Sequence, residues 1–410
     1  MRVRALGGAR RGEIQLTRFL RNEAVAPTEM IESAGARTAS RCAGRHVLAI
    51  QDTTVIRSQG GGGLYLHAMI AVDAADGAIL GAVDGQFLSR SKGKSGTQRA
   101  RPIEDKESHR WLEAADCAAK ICVNAAKITV IADRESDIYE AFTRRPANVD
   151  LLIRAAKDRS LGAASLFSHA DALPVAGRMD LELPAKPGRK ARKAVLVLRF
   201  ASVELRRPRN GVYKDAPAST RVNLVDVREV DAPEGEPPIH WRLLTTHPVS
   251  NASEAFEIAD LYRRRWAIEQ LFRTMKTRGF DVEGLLIEEE TPLRNLAMGI
   301  FIAAVVVQQL VHARDGAGEQ GTLRPVTDAF EAQDQPLLEA FSAKLEGKTQ
   351  KQKNPHPKGS LAYASWVCAR LGGWNCYYGK PGPITMLNGW REFQAAKQGA
   401  ALLTRAIHHV

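Results

Sequence analysis

The sequence predicts an α/β fold with a β-rich insertion and a helical C-terminal region. Two apolar runs that end at polar residues, VLAIQDTTV from Val47 and KITVIADRESD from Lys127, have the composition of buried strands. Between them, LYLHAMIAVDA and AILGAVDGQFL are separated only by the turn residues 75–77, which predicts an antiparallel hairpin. From about Ser253 the pattern becomes helical, through EAFEIADLYRRRWAIEQLFRTMK.

These elements divide the chain into three regions. Residues 1–45 are predicted to be helical, and residues 46–312 contain the strands, with a helix through Trp111. Within them, residues 160–245 alternate in polarity and are rich in Lys and Arg, which predicts an all-β insertion. Residues 313–410 are again predicted to be helical. The apolar run at 296–307, LAMGIFIAAVVV, is too short to span a bilayer, so we expect a buried helix and no membrane partner.

Charge and cysteine content narrow the classes of protein. The 410 residues carry a formal net charge of +12, which favours a polyanionic partner such as nucleic acid, although a soluble basic enzyme has the same property. The five cysteines are scattered without a CxxC pair, so a disulfide framework or zinc site is not expected. The N-terminal sequence lacks the apolar core of a secretory signal. We therefore expect a cytoplasmic, nucleoid-associated protein.

Two carboxylates lie where apolar strands are predicted to end. Asp52 follows the first apolar run and Asp133 follows the second. The carboxyl ends of strands are the usual ligand sites in α/β sheets, and two carboxylates there suit Mg²⁺. Either residue alone is also explained as a turn or cap residue.

A third carboxylate is surrounded by cations on a predicted long helix. At ~100° per residue, five polar side chains fall within a sector of roughly 80°. They are Tyr262, Arg265, Glu269, Arg273 and Lys276. One acid among groups that bind phosphate is typical of a metal ligand at a nucleic-acid site. The alternative is that these side chains form a solvated helix face.

The three acids together suit two-metal phosphoryl transfer. Two divalent ions activate a water or a 3′-hydroxyl and stabilise the leaving oxygen, without a histidine base. The ten histidines are scattered. The sequence contains no GxxxxGK[ST] loop, which argues against an ATP-driven recombinase.

At these residues the chain resembles the insertion-sequence-four family of DDE transposases. That family has an Asp in a strand ending DTT, an Asp in a DREAD-like motif, and an acid in Y-(2)-R-(3)-E-(6)-K. The corresponding segments here are IQDTT with Asp52, ADRESD with Asp133, and Tyr262-(2)-Arg265-(3)-Glu269-(6)-Lys276. A β-rich insertion between the second and third acids also fits. The resemblance covers about residues 15 to 400.

The resemblance implies an RNase H-like mixed sheet flanked by helices, and a cut-and-paste transposase that cleaves transposon ends through a hairpin and joins them to a target. Asp52, Asp133 and Glu269 would hold two Mg²⁺ or Mn²⁺ ions. Further side chains would contact double-stranded DNA, with a tryptophan stacking on a flipped base. These are Tyr262, Arg265, Lys276, Arg273, Trp241, Arg154 and Lys157. Arg134 and Glu135 would orient the catalytic groups.

The same resemblance implies a homodimer in a synaptic complex. Residues 358–373 would form its interface, with apolar contacts from Tyr363, Trp366 and Leu371. The basic loops 89–101 and 186–193 fit phosphate contacts or simple solvation. Only about 50 residues precede Asp52, which predicts a truncated DNA-binding unit. Two alternatives therefore stay open: a catalytically silent, dimerising inhibitor of a full-length transposase, and a stand-alone RNase H-like nuclease.

Overall fold

A nine-stranded mixed sheet runs through the structure, a computed structural model that describes residues 9–59, 62–90, 102–183, 190–209, 216–277, 279–317 and 323–407. In the sheet the order is β3-β2-β1-β4-β5-β9-β8-β7-β6. The strands are β1 (His46–Gln59), β2 (Gly62–Asp73), β3 (Ile79–Arg90), β4 (Lys127–Ala132), β5 (Val149–Arg154), β6 (Gly177–Leu183), β7 (Arg192–Arg206), β8 (Ser219–Val230) and β9 (His240–Thr245).

Strand direction divides this sheet into a parallel centre and antiparallel flanks. Strands β1, β4 and β5 are mutually parallel, whereas β1, β2 and β3 form an antiparallel meander. The predicted hairpin is confirmed, and its turn includes Gly77 at a φ of +77°. The mixed sheet with flanking helices is the RNase H-like arrangement that the sequence predicts.

The β-rich insertion extends the central sheet instead of forming a separate unit. Strand β9 pairs antiparallel with β5, and β8, β7 and β6 follow in order. The prediction of an all-β insertion is wrong in one respect, because the segment contains a helix at Leu166–Ala172. A capping box formed by Ser165 and Ser168 begins this helix.

Helices cover both faces of the sheet. They are α1 (Arg10–Arg21), α2 (Pro27–Cys42), α3 (Arg110–Ile121), α4 (Tyr139–Thr143), α5 (Leu166–Ala172), α6 (Ala252–Arg263), α7 (Trp266–Lys276), α8 (Glu290–Ala313), α9 (Gln335–Leu345), α10 (Leu361–Leu371) and α11 (Pro383–Ile407). Alternation along β1 assigns the faces: Leu48 and Ile50 pack in the core with α6 to α8, and Val47 and Ala49 pack in the core with α3 to α5.

The apolar helix α8 is a core helix, as the sequence predicts. It is long and apolar enough by length and composition to cross a membrane. Most of its residues are nevertheless buried against the sheet, the N-terminal helices and the C-terminal helices. Its buried Asn295 donates to the carbonyls of Leu20 and Val25, which holds the segment after α1 on the core.

The C-terminal helices pack on α8, and this packing corrects the predicted dimer contacts. Tyr363 and Trp366 on α10 are 5% and 3% exposed because α10 is enclosed by neighbouring helices of the same chain. A Cβ at Gly389 would lie 1.7 Å from the carbonyl oxygen of Cys368, so α10 and α11 approach at backbone contact. These aromatic side chains therefore contribute to the core of one chain and are not free to contact a second copy.

Candidate active site

The two aspartates lie at the point where the pairing between β1 and β4 ends. Ile50 and Ile131 are the last paired residues, and Asp52 and Asp133 each follow two residues later. The prediction that the first strand ends near Asp52 is wrong: β1 continues to Gln59, paired with β2 throughout. Because β4 ends at Ala132, the edge of β1 that faces β4 is unpaired beyond Ile50. The carboxylates lie at this opening.

Glu269 is brought to Asp52 by a shared arginine. Arg265 donates from Nη1 to Asp52 Oδ2 at 3.2 Å and from Nη2 to Glu269 Oε1. The guanidinium is 8% exposed, whereas Glu269 is 41% exposed. Alternation along β1 places Asp52 on the same face as Leu48 and Ile50, which is the face that α7 covers. An acid from the helix and an acid from the sheet therefore share one buried cation.

The helix that carries Glu269 is not the single long helix that the sequence predicts. Helix α6 ends at Arg263 and α7 begins at Trp266. Between them the backbone tightens to i→i−3 hydrogen bonds, from Arg264 N to Leu261 O and from Arg265 N to Tyr262 O. Asp260 pairs with Arg263 and Arg264 outside the tightened turn. The turn directs Arg265 inward to the acids.

Electrostatics at Asp52 are those of a partly buried acid among other acids. Burial, with a smaller contribution from the charges of Asp133 and Glu269, raises the pKa of Asp52 to about 6. The Thr53 backbone N–H, at 2.8 Å from Oδ1, and the Arg265 guanidinium oppose this rise in pKa. A bound cation would stabilise the charged form of a carboxylate in these surroundings.

A ring stack connects the insertion to this centre. Trp241 on β9 and Tyr262 on α6 are 5.6 Å apart between centroids, edge to face, and Arg265 lies 5.9 Å from the Tyr262 centroid. Burial raises the pKa of Tyr262. Within the described part of the chain, the buried Tyr262 hydroxyl and Arg265 Nε have no hydrogen-bond partner. Each is a buried group with an N–H or O–H that is able to donate to a ligand oxygen.

Asp137, which sequence reasoning did not select, anchors the loop after β5. Its buried carboxylate accepts hydrogen bonds from the backbone N–H of Ala156 and Lys157, at 2.7 and 2.9 Å, and pairs with Arg159 at 2.5 Å. Arg154 is the last residue of β5 before this loop, and the Lys157 side chain in the loop is exposed. Asp137 is the last residue of the ADRESD motif, and this position is the sequence feature that could have identified it.

The two residues expected to orient the acids have different positions. Arg134 contacts Asp133 through its backbone N–H, at 2.6 Å from Oδ1, and its exposed side chain does not contact the acids. Glu135 accepts from Arg110 at 3.1 Å, and Arg110 is buried on α3. Arg110 was missed because a single arginine in a helical stretch carries no pattern.

A buried histidine contacts the side chains of the residues on either side of Asp52. His67 on β2 contacts Thr53 Oγ1 at 2.9 Å and Gln51 Oε1 at 3.1 Å, and its ring packs on Trp111 at 4.5 Å. These contacts depend on the β1–β2 register, which pairs Thr53 with His67. Sequence reasoning missed His67 because register is not evident from composition.

The remaining predicted cations lie along α7 or outside the described residues. Lys276 pairs with Glu283 at 2.8 Å, and Arg273 is exposed on the preceding turn. Most of the two basic loops, residues 91–101 and 184–189, lies outside the described residues. Among the described residues, no group of three His, Cys, Asp or Glu side chains is arranged to hold a metal, and Glu269 accepts a hydrogen bond from Arg265.

The fold and this site define a class of protein: an α/β protein with acids at an opened sheet edge and a buried arginine between two of them. The chain belongs to the Transposase DDE domain family, which matches residues 66–306. That range includes Asp133 and Glu269, and Asp52 precedes it. A cryo-EM structure of a piggyBac transposase synaptic complex with hairpin DNA is similar at 9% identity and a TM-score of 0.35. The match covers 68% of this chain and 50% of that one.

Proposed function

We propose that this chain is a metal-dependent DNA nuclease and strand transferase, in which Asp52, Asp133 and Glu269 form the catalytic centre. One observation carries the proposal. Asp52 and Asp133 follow matching positions of two parallel strands, and Glu269 shares the Arg265 guanidinium with Asp52. The family match over residues 66–306 includes Asp133 and Glu269, and we infer that Asp52, which precedes it, completes the centre.

The donor set fits Mg²⁺ or Mn²⁺, since carboxylate oxygens are the ligands that these ions prefer. Asp52 and Asp133 would bind from the sheet and Glu269 from α7, after Glu269 leaves Arg265. Two bound ions would activate the attacking hydroxyl and stabilise the leaving oxygen of a phosphodiester. DDE transposases generally use divalent ions, which agrees with this donor set.

The cations and rings around the acids support DNA as the substrate. The buried Tyr262 hydroxyl and Arg265 Nε have no partner in the part of the chain that the structure describes, and a phosphate oxygen would accept hydrogen bonds from both. Trp241 packs edge to face on Tyr262 and is partly exposed, so an unstacked base could lie on the indole. Arg154, Lys157, Arg273 and Lys276 would contact backbone phosphates.

Transposition in detail is part of the same proposal. The motif spacing resembles that of the insertion-sequence-four family, so we infer cut-and-paste transposition through a hairpin by a homodimer. The dimer surface would differ from the predicted segment, because Tyr363 and Trp366 are buried. Trp241→Ala should slow resolution of a preformed hairpin end more than nicking of a duplex. A stand-alone nuclease would show no such difference.

Cleavage of labelled duplexes that carry the element's own ends tests the proposal. Wild type with Mg²⁺ should nick the DNA and join the new 3′ end to a plasmid, and EDTA should stop both reactions. Asp52→Asn, Asp133→Asn and Glu269→Gln should each abolish cleavage without changing the melting temperature by more than a few degrees. Asp116→Asn, an exposed site on α3, is the matched control for loss of one carboxylate. Cleavage that persists in any of the three variants would remove that acid from the centre.

A further inference from the structure

A basic pocket lies beside the acids, at the carboxyl end of β5 and the start of β9. It has a volume of about 350 Å³, which is in the size range of small-molecule sites. We call it the β9 pocket. Its lining contains three arginines, a histidine and a phenylalanine, and no acid occurs among its described lining residues. The lining is Arg134, Arg154, Ala155, Ala156, Phe167, Pro238, His240 and Arg242.

The β9 pocket is distinct from the stack of Trp241 on Tyr262. Along β9 the side chains alternate, and Leu243 packs in the core with α6 to α8, whereas Leu244 packs in the other core. Trp241 shares the face of Leu243, and Arg242 therefore projects from the opposite face. Arg134, the residue that follows Asp133, also lines the β9 pocket. The pocket and the acids are thus neighbours at the same end of β4.

Two guanidinium groups in the β9 pocket are held in fixed positions. Arg242 packs over the Phe167 ring at 4.3 Å and pairs with Asp171 at 2.9 Å. Arg154 donates from Nη2 to the carbonyl of His240 at 2.7 Å. A guanidinium fixed in this way loses little further freedom when it binds an oxyanion in a bidentate manner.

Ion pairs within the fold account for some of the cationic side chains in the β9 pocket, but not for others. Asp226 is fully buried on β8, and His240, Arg242 and Arg199 lie at 2.7, 3.6 and 3.5 Å from its carboxylate. Those residues neutralise a buried charge. Among the described residues, the side chains of Arg134 and Arg154 have no acidic partner within ion-pair distance. Their convergence on the pocket therefore indicates an anionic ligand.

We propose that the β9 pocket binds a backbone phosphate of the DNA strand that flanks the cleaved phosphodiester, through Arg134, Arg154 and Arg242. The inference rests on the proposed function for the identity of the anion, because a nuclease site presents DNA to its own rim. Planar guanidinium forks match the two free oxygens of a phosphodiester. The contact is independent of base sequence and sets the position of the strand relative to the acids.

Equilibrium binding without metal tests the β9 pocket separately from cleavage. The anisotropy of a fluorescent duplex would be measured in EDTA over a range of NaCl concentrations. Arg134→Gln should weaken binding by roughly 3- to 10-fold and reduce the salt slope by ~1. Adding Arg242→Gln should reduce both further. Arg37→Gln, which removes an exposed arginine on α2 beside β3, is the control and should leave the slope unchanged.

Each possible result distinguishes failure of the pocket proposal from failure of the nuclease proposal. Reduced slopes in a chain that never cleaves DNA would support the pocket and overturn the nuclease. Unchanged slopes in an active nuclease would overturn the pocket alone. If Arg242→Gln alters folding, the exposed Arg134→Gln decides the question. Inorganic phosphate provides one more arm: thermal stabilisation by phosphate that Arg134→Gln abolishes, with duplex binding unchanged, would make this a small-anion site and overturn the proposal.

Discussion

The two ends of the central parallel strands differ in how far their polar groups are paired. At the amino end, His46, Thr129, Asp150 and His247 form a closed polar network. Thr129 Oγ1 contacts His46 Nε2 at 2.8 Å and His247 Nε2 at 2.9 Å, and Asp150 Oδ2 lies 3.7 Å from His247 Nδ1. At the carboxyl end, two acids with mutual repulsion share a single arginine, and the Tyr262 hydroxyl and Arg265 Nε have no hydrogen-bond partner among the described residues.

This difference separates a structural polar cluster from the proposed catalytic centre on the same strands. Satisfied buried networks add rigidity, and their members stabilise the native state. Like charges and unpaired donors cost stability, and native proteins retain such features mainly at sites that serve a ligand. Substitutions at the carboxyl end should therefore affect activity, and substitutions at the amino end should affect folding.

The largest expected effect is that of Asp52→Asn on DNA cleavage. The amide cannot replace a carboxylate as a ligand of Mg²⁺, so the cleavage rate should fall by at least ~10³-fold. The unfolding free energy should stay equal or rise, because the substitution removes one of three repelling carboxylates. Urea denaturation and a gel-based cleavage assay measure the two quantities. A loss of more than ~2 kcal/mol in stability would show that Asp52 is structural.

Sequence reasoning located this end of the sheet because its signals are local. A change from apolar to polar or charged residues made Asp52 and Asp133 candidates, and fixed spacing made Glu269 a candidate. The contacts that complete the site depend on long-range packing. The register of β2 brings His67 beside Asp52, and a tightened helical turn directs Arg265 between two acids. Such contacts have no counterpart in periodicity or composition.

The same limit explains the errors. An apolar aromatic stretch such as that around Trp366 has one composition whether it packs against its own chain or a second copy. The pairing of β5 with β9 joins residues about 90 apart in sequence, so alternation predicted the insertion strands without predicting which sheet they join. The strand that carries Asp52 continues because β2 pairs with it, which a single-strand pattern cannot reveal.

The second prediction concerns Thr129 at the amino end. Thr129→Val keeps the side-chain shape and removes the hydroxyl between two histidines, which leaves buried ring nitrogens unpaired. The unfolding free energy should fall by ~1–3 kcal/mol. Cleavage by the folded protein at low temperature should stay within about twofold of wild type, since the network is at the far end of the strands. An activity loss greater than the stability loss explains would contradict the division between the two ends.

Acid sensitivity should arise from the buried histidines. Burial lowers the pKa of His247 to about 4 and that of His67 to about 3. Both rings are neutral in the native state and protonate in the unfolded chain below about pH 6.5. Their contribution to stability is therefore complete above pH 6.5 and is lost as the pH falls toward 4, by ~1.4 kcal/mol per pH unit for each histidine. Urea titrations of wild type and His247→Gln should show a shallower pH dependence in the variant.

The smallest expected effect concerns Lys276, a cation at the carboxyl end that already has an ion-pair partner. Lys276 pairs with Glu283 at 2.8 Å, and a phosphate contact from Lys276 has to compete with this ion pair. Glu283→Gln should therefore strengthen duplex binding by about two- to threefold, since an exposed pair is worth less than ~1 kcal/mol. Lys276→Gln should weaken binding and reduce the salt slope by ~1, and the double variant should behave like Lys276→Gln alone. Anisotropy titrations in EDTA measure these differences. If Glu283→Gln has the same effect in both backgrounds, Lys276 does not contact DNA and the carboxyl end has fewer phosphate ligands than its sequence implies.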